Sequence, residues 1–532
     1  MVKIGIYDRY LSTIGGGERY SCKAAEILSR QSGYQVHLLT DLHASLDHIS
    51  DRLGLDLSGV ELRHFPFISP HYAQKITSGY DLFINATYLS SLPAYGKANL
   101  YICYFPTPFD IDFGTLHRFL LLFQKPATLM VRLAESRCSS FKDIEIEGGL
   151  YEPQRFLLGR GSWSSGSARI KFGGPAVVGI KNPASSPLQQ MKVEVTYLTG
   201  GQAKSTALRL PRGQSKSIDL GTGPVEAKID SDTFTLPGKD TRQLGAVVYE
   251  QSPKSVVKKF LLKLIGYIPQ FVISYPRNLD FLDTYKGIIA ISRYSQKWIS
   301  RLWKRKSLLL FPPVEVEQFK PGPKQDIILS VGRFFPEHHN KKQLEMVQAF
   351  RQLCDEYPQQ MEGYRLYLAG GLSEKKEHQD YVQKIKQEAE GYPVTVMANA
   401  EYGRLVELFS TARFFWHASG MGESEARHPE KFEHFGITTV EAMAAGCIPI
   451  VINRGGQKEI IRDGIDGYLF DSISQLKSIT IKAVTGQFDL QSMALKARER
   501  ARMFSSENFT KELLNLVDKY LNHGSKHNNC KL

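Results

Sequence analysis

The chain has 532 residues, of which 42% are hydrophobic and 23% are charged. This length exceeds what one hydrophobic core supports, and the composition is that of a folded soluble protein, which excludes a wholly disordered chain. The 67 Lys and Arg residues outnumber the 54 Asp and Glu residues, and the net charge of +13 favours anionic partners such as nucleoside diphosphates, acidic lipid or nucleic acid.

The N-terminal third alternates strands and helices. The stretch "VKIGIY" predicts a buried strand, and "GGGERYSCKAAEILSRQ" predicts a glycine turn that opens a helix. Further strands are predicted at "YQVHLLT", "VELRHF", "YDLFINA" and "NLYICYF". Short apolar strands interleaved with helices are typical of a parallel sheet covered on both faces. We therefore predict a Rossmann-like domain over residues 1–142, completed by residues 252–322.

The region 143–251 has a different character. It is rich in Gly, Ser, Pro and Thr, and its strand-like pieces are "ARIKFGG", "AVVGIKN", "MKVEVTYLTG", "STALRLPRG", "KSIDLG", "EAKID", "DTFTLPG" and "GAVVYE". Strands at this spacing, separated by turn residues, indicate an antiparallel sandwich or barrel. We predict an all-β domain inserted into the first domain; an irregular extended loop is the alternative.

A second α/β alternation follows the linker "EQFKPGPKQ". Strands are predicted at "DIILSVGRF", "RLYLAGG", "VTVMA", "RFFWHAS", "IPIVI" and "GYLF", with helices between them. The fold class is therefore α/β, with two Rossmann-like doubly wound domains and an all-β insert. The second domain is predicted over 323–485, and C-terminal helices with a polar tail over 486–532.

Glycines and basic residues fall at predicted strand ends, where α/β folds bind ligands. Gly16 and Gly17 precede the first helix, where the backbone can approach an anion, although a plain strand-to-helix turn is an open alternative. Arg333 follows the strand "DIILSVGRF", with Lys341 and Lys342 shortly after it. A guanidinium and an ammonium there can clamp a diphosphate; the alternative is a solvated basic loop.

Two glutamates flank the start of the helix "HFGITTVEAMAAG". Glu433 precedes Gly436, whose helix start exposes free N–H groups, and Glu441 lies about two turns further on. Carboxylates suit sugar hydroxyls because each accepts several hydrogen bonds. Helix surface charge is the alternative, but Glu441 lies between "ITTV" and "AMAA", where a carboxylate needs partners.

Taken together, these motifs resemble those of the retaining glycosyltransferases of family 4, also called group 1, which have the GT-B fold. The resemblance lies in "EHFGITTVEAMAAGCIPIV", "GGQKEIIRDGIDGYLF", "SVGRFFPEHHNKKQ", "GIIAISRYSQKW…LFPPVE" and "IGGGERYSCKAAEILS". It covers about Lys3–Lys142 and Val256–Leu521. The combination is specific, although no single motif is.

The resemblance implies a role for each matching position. Arg333 and Lys341 would neutralise the donor diphosphate, and Glu433 would contact the donor sugar. Glu441 would hold the ribose hydroxyls of the nucleotide. The backbone groups implied in donor binding are those of Gly16, Gly17, Phe435, Gly436 and Ile437.

The implied function is transfer of a sugar from a UDP- or GDP-sugar to a glycan or lipid-linked acceptor, with no cofactor, no metal and no nucleic-acid partner.

Tyr104 stands where many members have a histidine, which puts the role of that histidine in doubt, and the insert is not part of the family pattern. "DID" at 110–112 resembles a metal-binding motif of another fold, but an acidic loop explains it better. The alternatives are an inactive sugar-binding protein that uses the insert, and a nucleotide-sugar epimerase.

Location is predicted from what the sequence contains. Six scattered cysteines predict reduced thiols, the apolar start "MVKIGIYDRY" predicts no cleaved signal, and no apolar run reaches the ~18–20 residues of a spanning helix. We expect a cytoplasmic protein. Two segments that mix basic and apolar residues, Lys254–Phe271 and Leu116–Leu133, predict peripheral contact with an anionic membrane surface, unless their apolar faces pack on the protein.

Overall fold

The computed structural model describes residues 1–40, 44–64, 74, 76–111, 113–129, 144–150, 154–156, 159–172, 176–199, 201–221, 224–236, 240–250, 272, 275–276, 278–337 and 340–524. The chain forms two compact units, one of Met1–Tyr101 with Pro108–Lys286 and one of Ile102–Thr107 with Gly287–Asn522. These units do not test the borders of the four predicted domains, which stay predictions.

The first unit contains a parallel sheet in the order β3-β2-β1-β4-β5. Its apolar strands are buried along most of their length because helices cover the sheet. The elements are β1 (Val2–Tyr7), α1 (Gly16–Ser29), β2 (Tyr34–Thr40), α2 (Leu46–Leu53), β3 (Val60–His64), β4 (Leu82–Asn85), β5 (Ala98–Cys103) and α3 (Thr115–Leu121).

The insert is an antiparallel β-sandwich. Each of the eight predicted pieces contains a strand, and the elements are β6 (Ile144–Leu150), β7 (Gln154–Phe156), β8 (Gly159–Phe172), β9 (Ala176–Lys181), β10 (Gln190–Thr199), β11 (Gln202–Pro211), β12 (Ser215–Gly221), β13 (Val225–Ser231), β14 (Phe234–Leu236), β15 (Asp240–Leu244) and β16 (Val247–Glu250). One sheet has the order β11-β10-β13-β8-β6, and the other contains β12, β9, β16, β8 and β7. The 14-residue strand β8 belongs to both.

Alternation along the strands of the insert builds its core. Side chains of β10 are alternately exposed and buried from Gln190 to Val195. Val195 of β10, Ile229 of β13 and Ile180 of β9 all belong to one buried cluster that both sheets line. The predicted all-β insert is therefore confirmed.

The second unit contains a six-stranded parallel sheet in the order β21-β20-β19-β22-β23-β24. Its elements are β17 (Gly287–Ala290), α4 (Arg293–Trp298), β18 (Leu308–Leu309), β19 (Gln325–Val331), α5 (Gln343–Glu356), β20 (Arg365–Gly370), α6 (Lys376–Glu388), β21 (Val394–Ala398), α7 (Tyr402–Thr411), β22 (Ala412–His417), α8 (Ile437–Ala444), β23 (Ile448–Ile452), α9 (Gln457–Ile460), β24 (Tyr468–Phe470), α10 (Ile473–Val484), α11 (Leu490–Ala501) and α12 (Ser506–Gly524). Chain order reverses between β19 and β22, where ligands of doubly wound sheets bind. The predicted class, two doubly wound α/β domains with an all-β insert, is confirmed.

Candidate functional site

Arg333 and Lys341 belong to the loop that joins β19 to α5. A Cβ at Gly332 would lie 2.7 Å from Cγ of Lys341, so the Lys341 side chain crosses the backbone directly at Gly332 and would have to shift for any larger residue there. The buried Gln343 side chain donates to the carbonyl oxygens of Gly332 and Arg333, each at 3.2 Å. The loop is thereby fixed, and the exposed Arg333 guanidinium lies 5.0 Å from the ring centroid of Phe335.

Glu433 is the centre of a hydrogen-bonded group of three side chains. Its Oε2 accepts from Lys341 Nζ at 2.5 Å and from His417 Nε2 at 2.8 Å. The three residues come from different loops and strands: Lys341 follows β19, His417 ends the neighbouring β22, and Glu433 precedes α8. The predicted pair of Lys341 and Glu433 is thus brought into direct contact.

The protonation states of this group follow from burial and charge. Burial alone would raise the pKa of Glu433, but Lys341 and the hydrogen bond from His417 hold it well below its usual range. Burial lowers the pKa of His417, and the neighbouring Glu433 carboxylate offsets this only in part. At neutral pH the group is therefore an ionised carboxylate, an ammonium and a neutral imidazole.

Two glycines fix the backbone of the Glu433 loop. A Cβ at Gly455 would lie 2.4 Å from the carbonyl oxygen of Glu433, and one at Gly456 would lie 2.6 Å from that of His434. The N–H of Gly456 donates to the carbonyl oxygen of Glu433 at 2.7 Å. The pair "GG" after β23 is therefore required because the loop packs directly on its backbone.

The next residues form the start of α8. Gly436 is its N-cap with a φ of 122°, a conformation that favours glycine, and Ile437 is its first residue. Phe435 is buried and packs between Phe311 and Phe504, so only its backbone is available for the implied role. Glu441 lies on the same helix and is half-buried. Free N–H groups at this helix start suit an anion or a sugar oxygen.

Gly16 and Gly17 open α1 in the first unit. The N-cap residue Gly15 donates its N–H to the Glu18 carboxylate at 2.6 Å. Close by, the buried carboxylate of Asp8 follows β1 and accepts from Ser21 Oγ at 2.6 Å. Burial, assisted by the charge of Glu18, raises the pKa of Asp8 to about 7. The glycine turn therefore lies beside two acids of this unit.

The structure adds residues that the sequence did not single out. In the sequence, His417 is a single polar residue at the end of an apolar strand, and no other feature distinguishes it. Glu459 accepts from the N–H groups of Arg293 and Tyr294 at 2.9 and 3.2 Å, at the start of α4. The contacts of His417 and Glu459 become visible only in the folded chain, because their partners are distant in sequence.

The segment that contains Tyr104 is also close to the Glu433 loop. The Tyr104 carbonyl oxygen accepts from Ser295 Oγ at 2.6 Å, and the ring of Phe105 stacks on His434 with centroids 4.2 Å apart. Among the described residues, no group of three or more His, Cys, Asp or Glu side chains is placed to hold a metal ion. Metal independence stays a prediction, and so do the individual roles of the site residues.

Residues 314–500 match the family model described as "Glycosyl transferases group 1". The chain is 26% identical over 295 residues to the "GDP-Man:Man(3)GlcNAc(2)-PP-Dol alpha-1,2-mannosyltransferase" of Dictyostelium discoideum, which covers 52% of this chain and 54% of that protein. It is 28% identical over 218 residues to the "Alpha-1,3/1,6-mannosyltransferase ALG2" of Homo sapiens, covering 39% of this chain and 49% of that protein. The chain thus matches about half the length of these curated relatives.

Two solved structures share the fold over nearly the whole chain. Anabaena Alr3699/HepE in complex with UDP has a TM-score of 0.52 at 11% identity and covers 97% of this chain and 100% of that chain. A glycosyltransferase from Rickettsia africae ESF-5 has a TM-score of 0.51 at 11% identity and covers 98% of each chain. At this identity the likeness shows the fold alone, which is the GT-B fold.

Proposed function

We propose that this chain, whose residues 314–500 match the model of the group 1 glycosyltransferases, transfers mannose from GDP-mannose to a lipid-linked glycan, with retention of the anomeric configuration and without a metal ion. The observation that carries the proposal is the contact of Lys341 and His417 with one oxygen of Glu433. The choice of mannose is supported by the names of the relatives from Dictyostelium discoideum and Homo sapiens. The choice of GDP and of a lipid-linked acceptor is supported by the name of the Dictyostelium discoideum relative.

Departure of the diphosphate is the step that the site is suited to assist. Negative charge accumulates on the leaving oxygen as the sugar–phosphate bond breaks, and fixed positive groups lower the free energy of that state. Arg333, Lys341 and the N–H groups at the start of α8 are positive groups held by a rigid loop and a helix. No metal ion is needed when such groups balance the charge.

Glu433 has a different task. Its ionised carboxylate accepts two side-chain hydrogen bonds on Oε2 within the described part of the chain, so Oε1 can accept from a sugar hydroxyl. An anion here also favours the positive charge that develops on the sugar ring. Glu433 is therefore proposed to orient the donor sugar, and the acceptor to attack from the face that the diphosphate leaves.

The acceptor proposal is supported by an exposed apolar surface on residues 115–129. Leu122 is 73% exposed and Leu116 is 68% exposed, and Phe119, Phe123 and Leu129 are exposed beside them. Such a surface next to basic side chains suits the interface of an anionic bilayer, where lipid-linked acceptors lie. None of the described helices combines the length and apolarity of a membrane-spanning segment. The second predicted membrane segment, Lys254–Phe271, lies outside the described residues.

A product assay tests the proposal. The purified protein is incubated in EDTA with GDP-mannose and a short polyprenyl diphosphate-linked oligosaccharide, and products are resolved by mass and by α-mannosidase digestion. We expect one α-linked hexose to be added, and far less product from UDP-glucose. An isomerised sugar nucleotide without acceptor would identify an epimerase, and no turnover of any nucleotide sugar would identify a sugar-binding protein.

Membrane contact is tested separately by flotation with anionic and neutral vesicles. Binding should require anionic lipid, weaken with salt and fall when Leu122 and Phe123 become Glu, or when Lys258, Lys259 and Lys263 become Glu. A protein that stays unbound on anionic vesicles at low salt would favour a water-soluble acceptor.

A further inference from the structure

His417 is a buried histidine whose two ring nitrogens have different environments. The residue is 2% exposed and ends β22. Nε2 lies 2.8 Å from Oε2 of Glu433, whereas Nδ1 is buried without a hydrogen-bond partner among the described residues. An ionised carboxylate can only accept, so Nε2 carries the proton and donates it.

This geometry fixes the imidazole in its neutral form. A second proton on Nδ1 would create a buried cation, which is unfavourable. Burial also lowers the pKa of His417. The imidazole is therefore a fixed, uncharged donor to Glu433, in contrast to Lys341, which is a cation and is about one-fifth exposed.

The difference between the two donors matters when a diphosphate binds. In the free protein Lys341 Nζ contacts the same oxygen, Oε2, that His417 contacts. A phosphate oxygen of a bound diphosphate would compete with Oε2 of Glu433 for the Lys341 ammonium, because the Lys341 side chain is 20% exposed. His417 is neutral and buried, so a bound diphosphate does not draw it away from the Glu433 carboxylate.

We infer that His417 is a positioning residue: its Nε2–H holds the Glu433 carboxylate in the orientation that faces the donor sugar while the diphosphate binds Lys341. This inference rests on the proposed transfer reaction and deepens it. It assigns His417 no contact with substrate. It follows that loss of the Nε2–H should lower turnover and leave nucleotide binding nearly unchanged.

Two amide variants separate this role from a general structural one. The side-chain amide of His417→Gln can reach the position of Nε2 and donate to Glu433, whereas that of His417→Asn matches the position of Nδ1 and cannot. Both variants place a neutral amide in the same buried site. They are therefore matched in polarity and differ in whether the hydrogen bond is formed.

The measurements are kcat and KM with GDP-mannose from pH 4.5 to 8, and the Kd for GDP by calorimetry. We expect kcat of the Asn variant to fall by about 10- to 100-fold, the range for losing a hydrogen bond to a charged group, with Kd for GDP within about threefold of wild type. The acidic limb of its kcat profile should move to higher pH, because the pKa of Glu433 rises. The Gln variant should recover most of the turnover and the wild-type limb.

The outcomes are distinct. An Asn variant with wild-type kcat and an unmoved acidic limb would overturn the role of His417 and leave the proposed function intact. Equal losses in the Gln and Asn variants would also overturn it, since the hydrogen bond would then not be the cause. A wild-type protein that transfers no sugar would refute the proposed function, and with it the reaction that His417 is inferred to serve.

If the Asn variant does not fold, a Gln variant with wild-type kcat and pH profile supports the inference, and one with reduced kcat opposes it.

Discussion

Replacing Lys341 by Met removes the ammonium and keeps most of the side-chain volume. The substitution leaves Glu433 with His417 as its remaining side-chain donor among the described residues. The Lys341 stem crosses Gly332, and a Met side chain can follow the same path. The variant therefore tests the charge and not the packing.

The expected loss of stability lies between two reference cases. Exposed ion pairs contribute about 0–1 kcal/mol, whereas breaking a fully buried pair costs about 3–5 kcal/mol. The side chains of Lys341 and Glu433 are 20% and 19% exposed, and His417 still stabilises the carboxylate. We expect the free energy of unfolding to fall by about 2 kcal/mol, and turnover to fall by about 10²- to 10³-fold, the scale for one fixed charge-stabilising group.

The pH dependence follows from the sign of the shift. The pKa of Glu433 in the folded chain is below its unfolded value. Its stabilisation is therefore present above the unfolded pKa, about 4.3, and is lost as the pH falls through the folded pKa. In the Met variant the folded pKa rises toward the unfolded value, so acidification removes less stabilisation and the loss is complete at a higher pH than in wild type.

Urea unfolding at pH 7 and at a pH below about 4, followed by tryptophan fluorescence, measures these changes. Wild type, Lys341→Met, Glu433→Gln and the double variant form a cycle whose coupling should be about 2 kcal/mol. The control is Lys342→Met, because Lys342 pairs with Glu345 at 3.2 Å and does not contact Glu433 among the contacts described. Additive effects of the two single variants, together with wild-type turnover of Lys341→Met, would refute this reasoning.

Four further predictions concern the other candidate groups. Arg333→Ala should lower turnover by ~10²-fold or more, because a fixed positive group is lost, and a near wild-type rate would remove Arg333 from the diphosphate site. Glu441→Ala should weaken GDP binding by roughly 1.5–3 kcal/mol in calorimetry, whereas Glu433→Gln should spare binding and lower turnover; unchanged affinity in folded Glu441→Ala would contradict its role. Excision of 143–251 with a Gly/Ser bridge should preserve donor binding and reduce acceptor use, and loss of donor binding in a folded deletion would show that the insert belongs to the donor site. Burial raises the folded pKa of Asp8 to about 7, so the stabilisation from its protonation is fully present only below the unfolded pKa of about 4 and is lost as the pH rises from there through about 7; Asp8→Asn should raise the melting temperature more at pH 8 than at pH 5, and an equal change at both would contradict the shift.

The charged residues of the site were predictable because motif spacing locates strand ends. Arg333 and Lys341 follow an apolar strand, and Glu433 precedes a helix with a glycine at its start. The order of the strands in the sheet, in contrast, could not be predicted from these motifs. β19 and β22 are neighbours, and this adjacency brings the Lys341 loop beside His417 and Glu433.

His417 was missed for a physical reason. A histidine that ends the apolar stretch "RFFWHAS" is compatible with a buried strand residue, and its role depends on a carboxylate 16 positions later. Similarly, the eight strand-like pieces of the insert were predictable from their spacing and the turn residues between them, whereas the sharing of β8 between two sheets was not. Short-range patterns report which residues are buried, but pairing over long sequence separations is decided by the packing of the whole domain.

The glycines and charges of the C-terminal motifs act on the same residue from two sides. Gly455 and Gly456 contact the backbone of Glu433 so closely that a Cβ at either position would overlap it or its neighbours. Lys341 and His417 hold the side chain at the other end through one carboxylate oxygen. A carboxylate fixed at both its backbone and its Oε2 has little freedom to reorganise, so in the proposed transfer its charge would be oriented before a positive charge develops on the sugar ring. One acid, two glycines, a lysine and a histidine, from four separate segments of the chain, therefore together determine the placement of one anion.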